Sequence, residues 1–446
     1  MATATLPLPF TTAYDPPVEG EGRLDPLGLG PLADRIADSY ARPVRARMKR
    51  IRFLTSMALG GKLTPELVDV VPGVPGDTPE IAFERVVIEA LARAGSSGLE
   101  LDTGIPGIAK AQTALIAKSR LSARGYLKGP KVFGFFGVYR PLAAATRLLD
   151  AQGGTLAPGD SLLEALAKDA ARSSRFESDP SSREFLEWLM QATCDGLREG
   201  RNTFRPRSAH AQTLAAIAAP QYAGPQERLA LSEVLHSPDE AVHPEDEDAY
   251  LEVLHLIAQA QQAPDSEVAW VAYLQANGSA GLSARMNMLV TFEDFGRDLM
   301  WAFDTYRFLS SHAVGWVPAA STLAGDDALT TVGSTIGQRY RTALAAMDVA
   351  AQFGTDLEIS SRFSHAFADF DRVMTPAELI DALIVHHERV QAGKPPSGKR
   401  PWLEADRGGW ACRPLFEVSD PVDRRDDFIH PYRVNSLVRF LADLHG

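Results

Sequence analysis

The chain has 446 residues, of which 45% are hydrophobic and 23% charged, and its formal net charge is −12. That composition is one of a soluble globular protein, and the length predicts two to four domains rather than one core. The acidic balance excludes a uniformly basic coat, so any hold on a polyanion must come from a concentrated face.

No apolar run approaches the ~20 residues that span a bilayer, and no basic-then-apolar leader opens the chain. Cys194 and Cys412 are far apart and lack metal-type spacing, so reduced thiols in a cytosolic protein are expected.

Residues 1–31 carry Pro7, Pro9, Pro16, Pro17, Pro26 and Pro31 with little apolar periodicity, which predicts an extended arm. A domain over 32–175 follows. Arg42, Arg45, Arg47, Lys49, Arg50 and Arg52 predict a basic helix that Pro43 breaks or starts, with Ile51, Phe53, Leu54 and Met57 as its apolar stripe. Alone, such a helix is a solvated face. Asp77-Thr78-Pro79-Glu80 is a strong helix start, and the helix should run to about Ala94 before Gly95-Ser96-Ser97-Gly98.

The stretch Ile105 to Arg147 carries Lys110, Lys118, Arg120, Arg124, Lys128, Lys131, Arg140 and Arg147 and contains no Asp or Glu. In a chain of net negative charge this is local segregation. It gives a polyanion a place to bind while the remaining surface repels it. Gly125, Gly129, Pro130, Gly134 and Gly137 rule out one long helix and predict short helices joined by tight turns. A helix over 138–149, a Gly153-Gly154 hairpin over 150–157 and a helix over 161–171 should follow.

Residues Tyr139 to Ala165 resemble the winged helix domains of bacterial transcription regulators. There a recognition helix, a short β-wing and a Leu-Thr-Pro-x-Gly helix start occur in that order. Here the last element is Leu156-Ala157-Pro158-Gly159, with alanine where threonine is usual. The resemblance implies a winged helix-turn-helix over about residues 78–171. Such modules grip DNA or dock proteins, and the acid-free stretch favours DNA.

Residues 176–393 predict an α-helical bundle. Its helices are expected at 181–200, 251–260, 267–275, 282–311, 328–353 and 376–391, with a basic loop at Arg201, Arg205 and Arg207 and an acidic segment over 239–252. Residues 394–446 form an irregular segment with Trp402 and Trp410, then a helix from His430 to Leu444. The expected fold is mainly α, a winged-helix module with a small β-wing followed by the bundle.

No phosphate-binding G-x-x-x-x-G-K-[ST] loop, G-x-S-x-G elbow or H-E-x-x-H helix occurs. His386 and His387 would point about 100° apart on a helix, which favours a structural role over shared ligation of one metal. His430 lies near Asp426, Asp427 and Arg433, and Glu293, Asp294 and Asp298 sit beside Arg297. Ordinary ion pairing explains both groups more simply than catalysis.

These features predict a non-catalytic, DNA-associated accessory subunit of a bacterial DNA-handling or phage-defence assembly, with no cofactor or metal. Arg45, Arg47, Lys49 and Arg50 would join the eight cations of 105–147 in holding phosphates. The helical C-terminal part would bind a protein partner or a second copy. The alternatives are a metal-dependent nuclease or hydrolase using the C-terminal His and Asp residues, and a protein-docking scaffold.

Overall fold

A computed structural model describes residues 25–101, 104–237, 243–315, 317–395, 397–406 and 408–445, and the chain is mainly helical. In order, the first helices are α1 (Gly30–Asp38), α2 (Phe53–Leu63), α3 (Pro79–Gly95), α4 (Ile108–Ile116), α5 (Pro130–Phe133) and α6 (Phe135–Ala145). Next come α7 (Ala157–Ala170), α8 (Arg183–Glu199), α9 (Ala209–Ala218), α10 (Pro225–His236), α11 (Pro244–Gln259) and α12 (Glu267–Asn277). The chain continues with α13 (Ala280–Ser311), α14 (Ala320–Ala324), α15 (Asp327–Ala351), α16 (Glu358–Phe367) and α17 (Pro376–Ala392). Strands β1 (Leu403–Asp406) and β2 (Gly409–Cys412) and helix α18 (Val434–His445) end it.

Two compact units result: 25–36 with Ala284–His430, and Ala37–Ser283 with 431–445. Divisions were expected after residues 31, 175 and 393; across the second of these, α8 and α9 lie on α3, and α10 lies on α7. Most of the expected arm, 1–24, lies outside the described residues.

In the 37–283 unit, local signals set the helix starts. The Thr78 hydroxyl accepts from Ile81 N and Pro79 opens α3, while the Ser182 hydroxyl accepts from Phe185 N at α8. Three other helices take their cap from a distant carboxylate. Glu84 of α3 accepts from Phe136 N at 2.8 Å for α6, Asp169 from Glu227 N at 2.8 Å for α10, and Glu267 from Val434 N at 2.8 Å for α18. A β-carbon at Gly134, ahead of α6, would lie 2.1 Å from Glu84 Oε1, so glycine is needed there for close approach.

Phe135, fully buried, stacks on Phe53 with ring centroids 5.4 Å apart, and fixes α6 on α2. Burial of one such ring stabilises by roughly 1.5–3 kcal/mol.

Two expectations need correction here. Residues 42–52 form turns rather than a basic helix. The Tyr139 hydroxyl takes Arg50 N at 3.0 Å and donates to Arg50 O at 2.6 Å, tying this turn to α6. Arg42 and Arg52 are drawn inward to Glu247 and Glu227. The helix expected at 138–149 begins at Phe135 and ends at Ala145, and the hairpin after it is a single antiparallel bridge, Leu149 with Thr155. That bridge rests on α2, where Thr155 N donates to Gly61 O at 3.2 Å.

In the other unit, α15 packs on α16 and α17, and Phe295 lies among Phe363, Phe367 and Phe370. A full capping box of Thr375 and Glu378 starts α17. The segment expected to be irregular holds the antiparallel hairpin, with Leu403 opposite Cys412. The final helix begins at Val434, four residues later than expected.

Candidate nucleic-acid interface

Ten of the twelve expected cations are exposed: Arg45, Arg47, Lys49, Lys110, Lys118, Arg124, Lys128, Lys131, Arg140 and Arg147. The other two are half-buried and engaged with carboxylates. Arg50 Nη1 sits 2.5 Å from Asp443, and Arg120 Nη1 sits 3.1 Å from the buried Glu89. Surface arginines held this way have less freedom to follow a ligand.

Tertiary packing groups part of the set. The Arg47 guanidinium lies 4.6 Å from the centroid of the exposed Phe133 ring, bringing the 45–49 turns beside Lys131 of α5. The Arg50 backbone is tied to Tyr139, the neighbour of Arg140 on α6, while Arg140 Nη2 donates to Ala151 O in the hairpin turn at 3.0 Å. Arg45, Arg47, Lys49, Lys131 and Arg140 are thus carried by elements in direct contact. Arg124 is set apart: it lines a shallow cleft with Arg201 and Glu199, where the 122 and 201 segments pair.

Lys118 and Arg147 are in the left-handed region, with φ of 52° and 54°. Each closes a helix in a Schellman motif. Ser119 N donates to Ala114 O and Lys118 N to Leu115 O; Leu148 N donates to Ala143 O and Arg147 N to Ala144 O, all at 2.8–2.9 Å. Glycine is the relaxed residue at that position, and a side chain there carries about 1 kcal/mol or more of strain. A cation also faces the negative end of the helix dipole. The surface of α6 presents Arg140 and Ala144 fully, and Gly137 and Pro141 partly, so its relief is low.

Glu84 lies beneath this face. It is fully buried, accepts hydrogen bonds from the Tyr126 hydroxyl and Phe136 N, and burial pushes its pKa from 4.5 up to about 7.

The residues weighed for catalysis are committed elsewhere. Both ring nitrogens of His387 are used: Nδ1 lies 2.9 Å from Pro26 O, and Nε2 accepts from Trp402 N at 2.9 Å. His386 Nε2 lies 2.8 Å from Leu27 O. The pair anchors residues 26–27 on α17, and burial lowers the pKa of His387 to about 4. His430 meets Glu293 at 2.6 Å, while Asp294 and Asp298 take Arg339 at 2.9 and 3.2 Å. Among the described residues no group of three or more His, Cys, Asp or Glu is placed to hold a metal ion.

Sequence reasoning missed the inward turn of Arg120 toward Glu89 and the exposed apolar pair Val132 and Phe133 within the basic edge. The adjacency of Lys131, Val132 and Phe133 was the available signal. No family model matches the chain, and neither a curated protein nor a solved structure matches it. No helix among the described residues is long and apolar enough to cross a membrane.

Proposed function

We propose that the 37–283 unit grips the phosphate backbone of DNA, as a non-catalytic accessory protein whose winged-helix-like order is α4, α6, hairpin and α7. The observation that carries this reading is the exposure of Arg45, Arg47, Lys49, Lys131 and Arg140 on touching elements. The acid-free sequence of 105–147 adds to it. The low relief of α6 suits close approach to a groove, and the strained Lys118 and Arg147 keep cations where glycine would be more relaxed.

Fluorescence anisotropy with duplex DNA across a salt series tests the grip. Log affinity should fall linearly with log salt, by about 0.9 per neutralised phosphate. The triple variant Arg45→Glu, Arg47→Glu, Lys131→Glu should flatten that slope by roughly two to three units and leave the fold intact. Salt-independent binding, or none, overturns the proposal.

A second reading, docking of an acidic protein, draws on Val132 and Phe133, which are 59% and 47% exposed beside Lys131 and Arg47. Binding that survives Phe133→Ala in the DNA assay argues against it.

A further inference from the structure

We infer that the cleft between the end of α3 and the start of α9 binds a phosphomonoester. The cleft has a volume of about 500 Å³ and is lined by Arg93, Arg205, Pro206, Arg207 and Ser208. That size lies within the ~300–1,000 Å³ of small-molecule sites, but such sites are mostly apolar. This lining is cationic, which selects for an anion.

The local charges do not cancel. Glu89, buried, is the carboxylate beneath the cleft, and it serves two guanidiniums: Arg93 Nη2 at 2.6 Å and Arg120 Nη1 at 3.1 Å. Its other oxygen accepts from Leu121 N and Asn202 Nδ2, both at 2.9 Å. Arg205 and Arg207 are exposed, and no carboxylate among the described residues pairs with either. Four arginines over one glutamate leave an excess of three positive charges. A dianion answers that excess better than a carboxylate or a phosphodiester does.

The loop carrying these groups is already shaped. Ser208 N donates to Arg205 O at 3.2 Å and Ser208 Oγ to the same carbonyl at 2.9 Å. Phe204 is buried against Trp188, and its carbonyl accepts from Arg120 Nη2 at 2.7 Å. Pro206 stiffens the span between the two free arginines. Ser208 caps α9 through Ala211 N, and the N–H groups of Ala209 and His210 have no acceptor among the described residues. Arg205 and Arg207 thus bring two guanidinium forks to the cleft, while Arg93, whose Nε and Nη2 both donate to Glu89, adds positive charge from its wall.

The cleft is chemically independent of the backbone grip; only the choice of a strand end as one source of the phosphate rests on that reading. The other source is a free nucleotide. The test uses the full chain and measures anisotropy with matched duplexes carrying 5′-phosphate or 5′-hydroxyl ends, together with calorimetric titration of AMP and of inorganic phosphate.

Saturable AMP binding that Arg205→Ala with Arg207→Ala abolishes supports the inference. A preference of about tenfold for the phosphorylated end, the equivalent of one further charge-assisted hydrogen bond, identifies a strand end as the source. AMP binding without that preference identifies a free nucleotide. Arg207→Lys, which keeps charge but loses the fork, should fall between wild type and the double variant. Arg93 is left in place so that Glu89 keeps its partners and the fold survives.

Absence of saturable binding by AMP and phosphate, with equal affinity for both duplexes, overturns the inference even if DNA is held. AMP binding that the double variant loses, with no duplex binding at all, upholds it and sinks the grip instead.

Discussion

Arginine does opposite work in the two units. In the 284–430 unit it is a fastener: Arg339 holds Asp294 and Asp298, Arg424 holds Asp298 at 2.6 Å, and Arg307 holds Asp304 at 2.6 Å. In the 37–283 unit two populations coexist. Arg52 and Arg85 are buried and matched to Glu227 and Asp77, whereas Arg45, Arg47 and Arg140 face solvent. The side chain is the same throughout, and what differs is whether a carboxylate lies within reach. An exposed cation contributes little to stability, so the basic edge can be altered for binding without endangering the fold.

The largest expected effect breaks the buried class. Arg52 grips both oxygens of Glu227 at 2.9 Å and donates to Ala216 O at 2.8 Å, with side-chain exposures of 1% and 0% in the pair. Arg52→Ala leaves Glu227 charged and uncompensated, and should destabilise the unit by about 3–5 kcal/mol in urea denaturation. A loss below ~1 kcal/mol would show that the pair is not what holds α10 against the 42–52 turns.

Next is an opposed response to pH. Glu84, beside Tyr126 and Arg85, binds its proton more tightly folded, with a pKa raised from 4.5 to about 7. Its contribution is therefore full below pH 4.5 and is lost as pH rises through about 7. His387, beside His386, Lys394 and Arg307, has its pKa lowered from 6.5 to about 4, so its contribution is present above 6.5 and lost as pH falls through about 4. Each effect is at most about 3 kcal/mol. Hydrogen exchange followed on peptides of α3 and of α17 should slope in opposite directions across that range. Glu84→Gln should level the first and leave the second. Parallel slopes, unaffected by that substitution, would remove the contrast.

The smallest effect runs against the usual coupling of stability and binding. Lys118→Gly and Arg147→Gly relieve left-handed strain and should each stabilise by up to about 1 kcal/mol, while lowering DNA affinity. Unchanged affinity in both would place the binding face away from the ends of α4 and α6.

Much was legible in advance where the signal was local. Thr78-Pro79 announced its helix because a capping side chain acts within four residues of itself. The β1–β2 hairpin was illegible because Glu404-Ala405-Asp406 is poor in strand formers, leaving only the turn around Gly408-Gly409 as a signal. For the candidate interface, type and location of charge were legible, and its engagement was not. Arg120 and Arg140 look equivalent in sequence, yet one is held by Glu89, thirty-one residues upstream, and the other stays in water.

By itself the sequence determined that the chain is mainly helical, where helices such as α3, α12 and α17 begin, and that positive charge is concentrated between Ile105 and Arg147. Those properties follow from periodicity, capping and composition, which act over a few residues. Only the tertiary structure decided that 42–52 would abandon a helix for Tyr139 and two buried glutamates, that Glu84 would cap α6, and which cations remain exposed. Those outcomes depend on partners tens to hundreds of residues away, and which carboxylate reaches which guanidinium exists only once the core has packed.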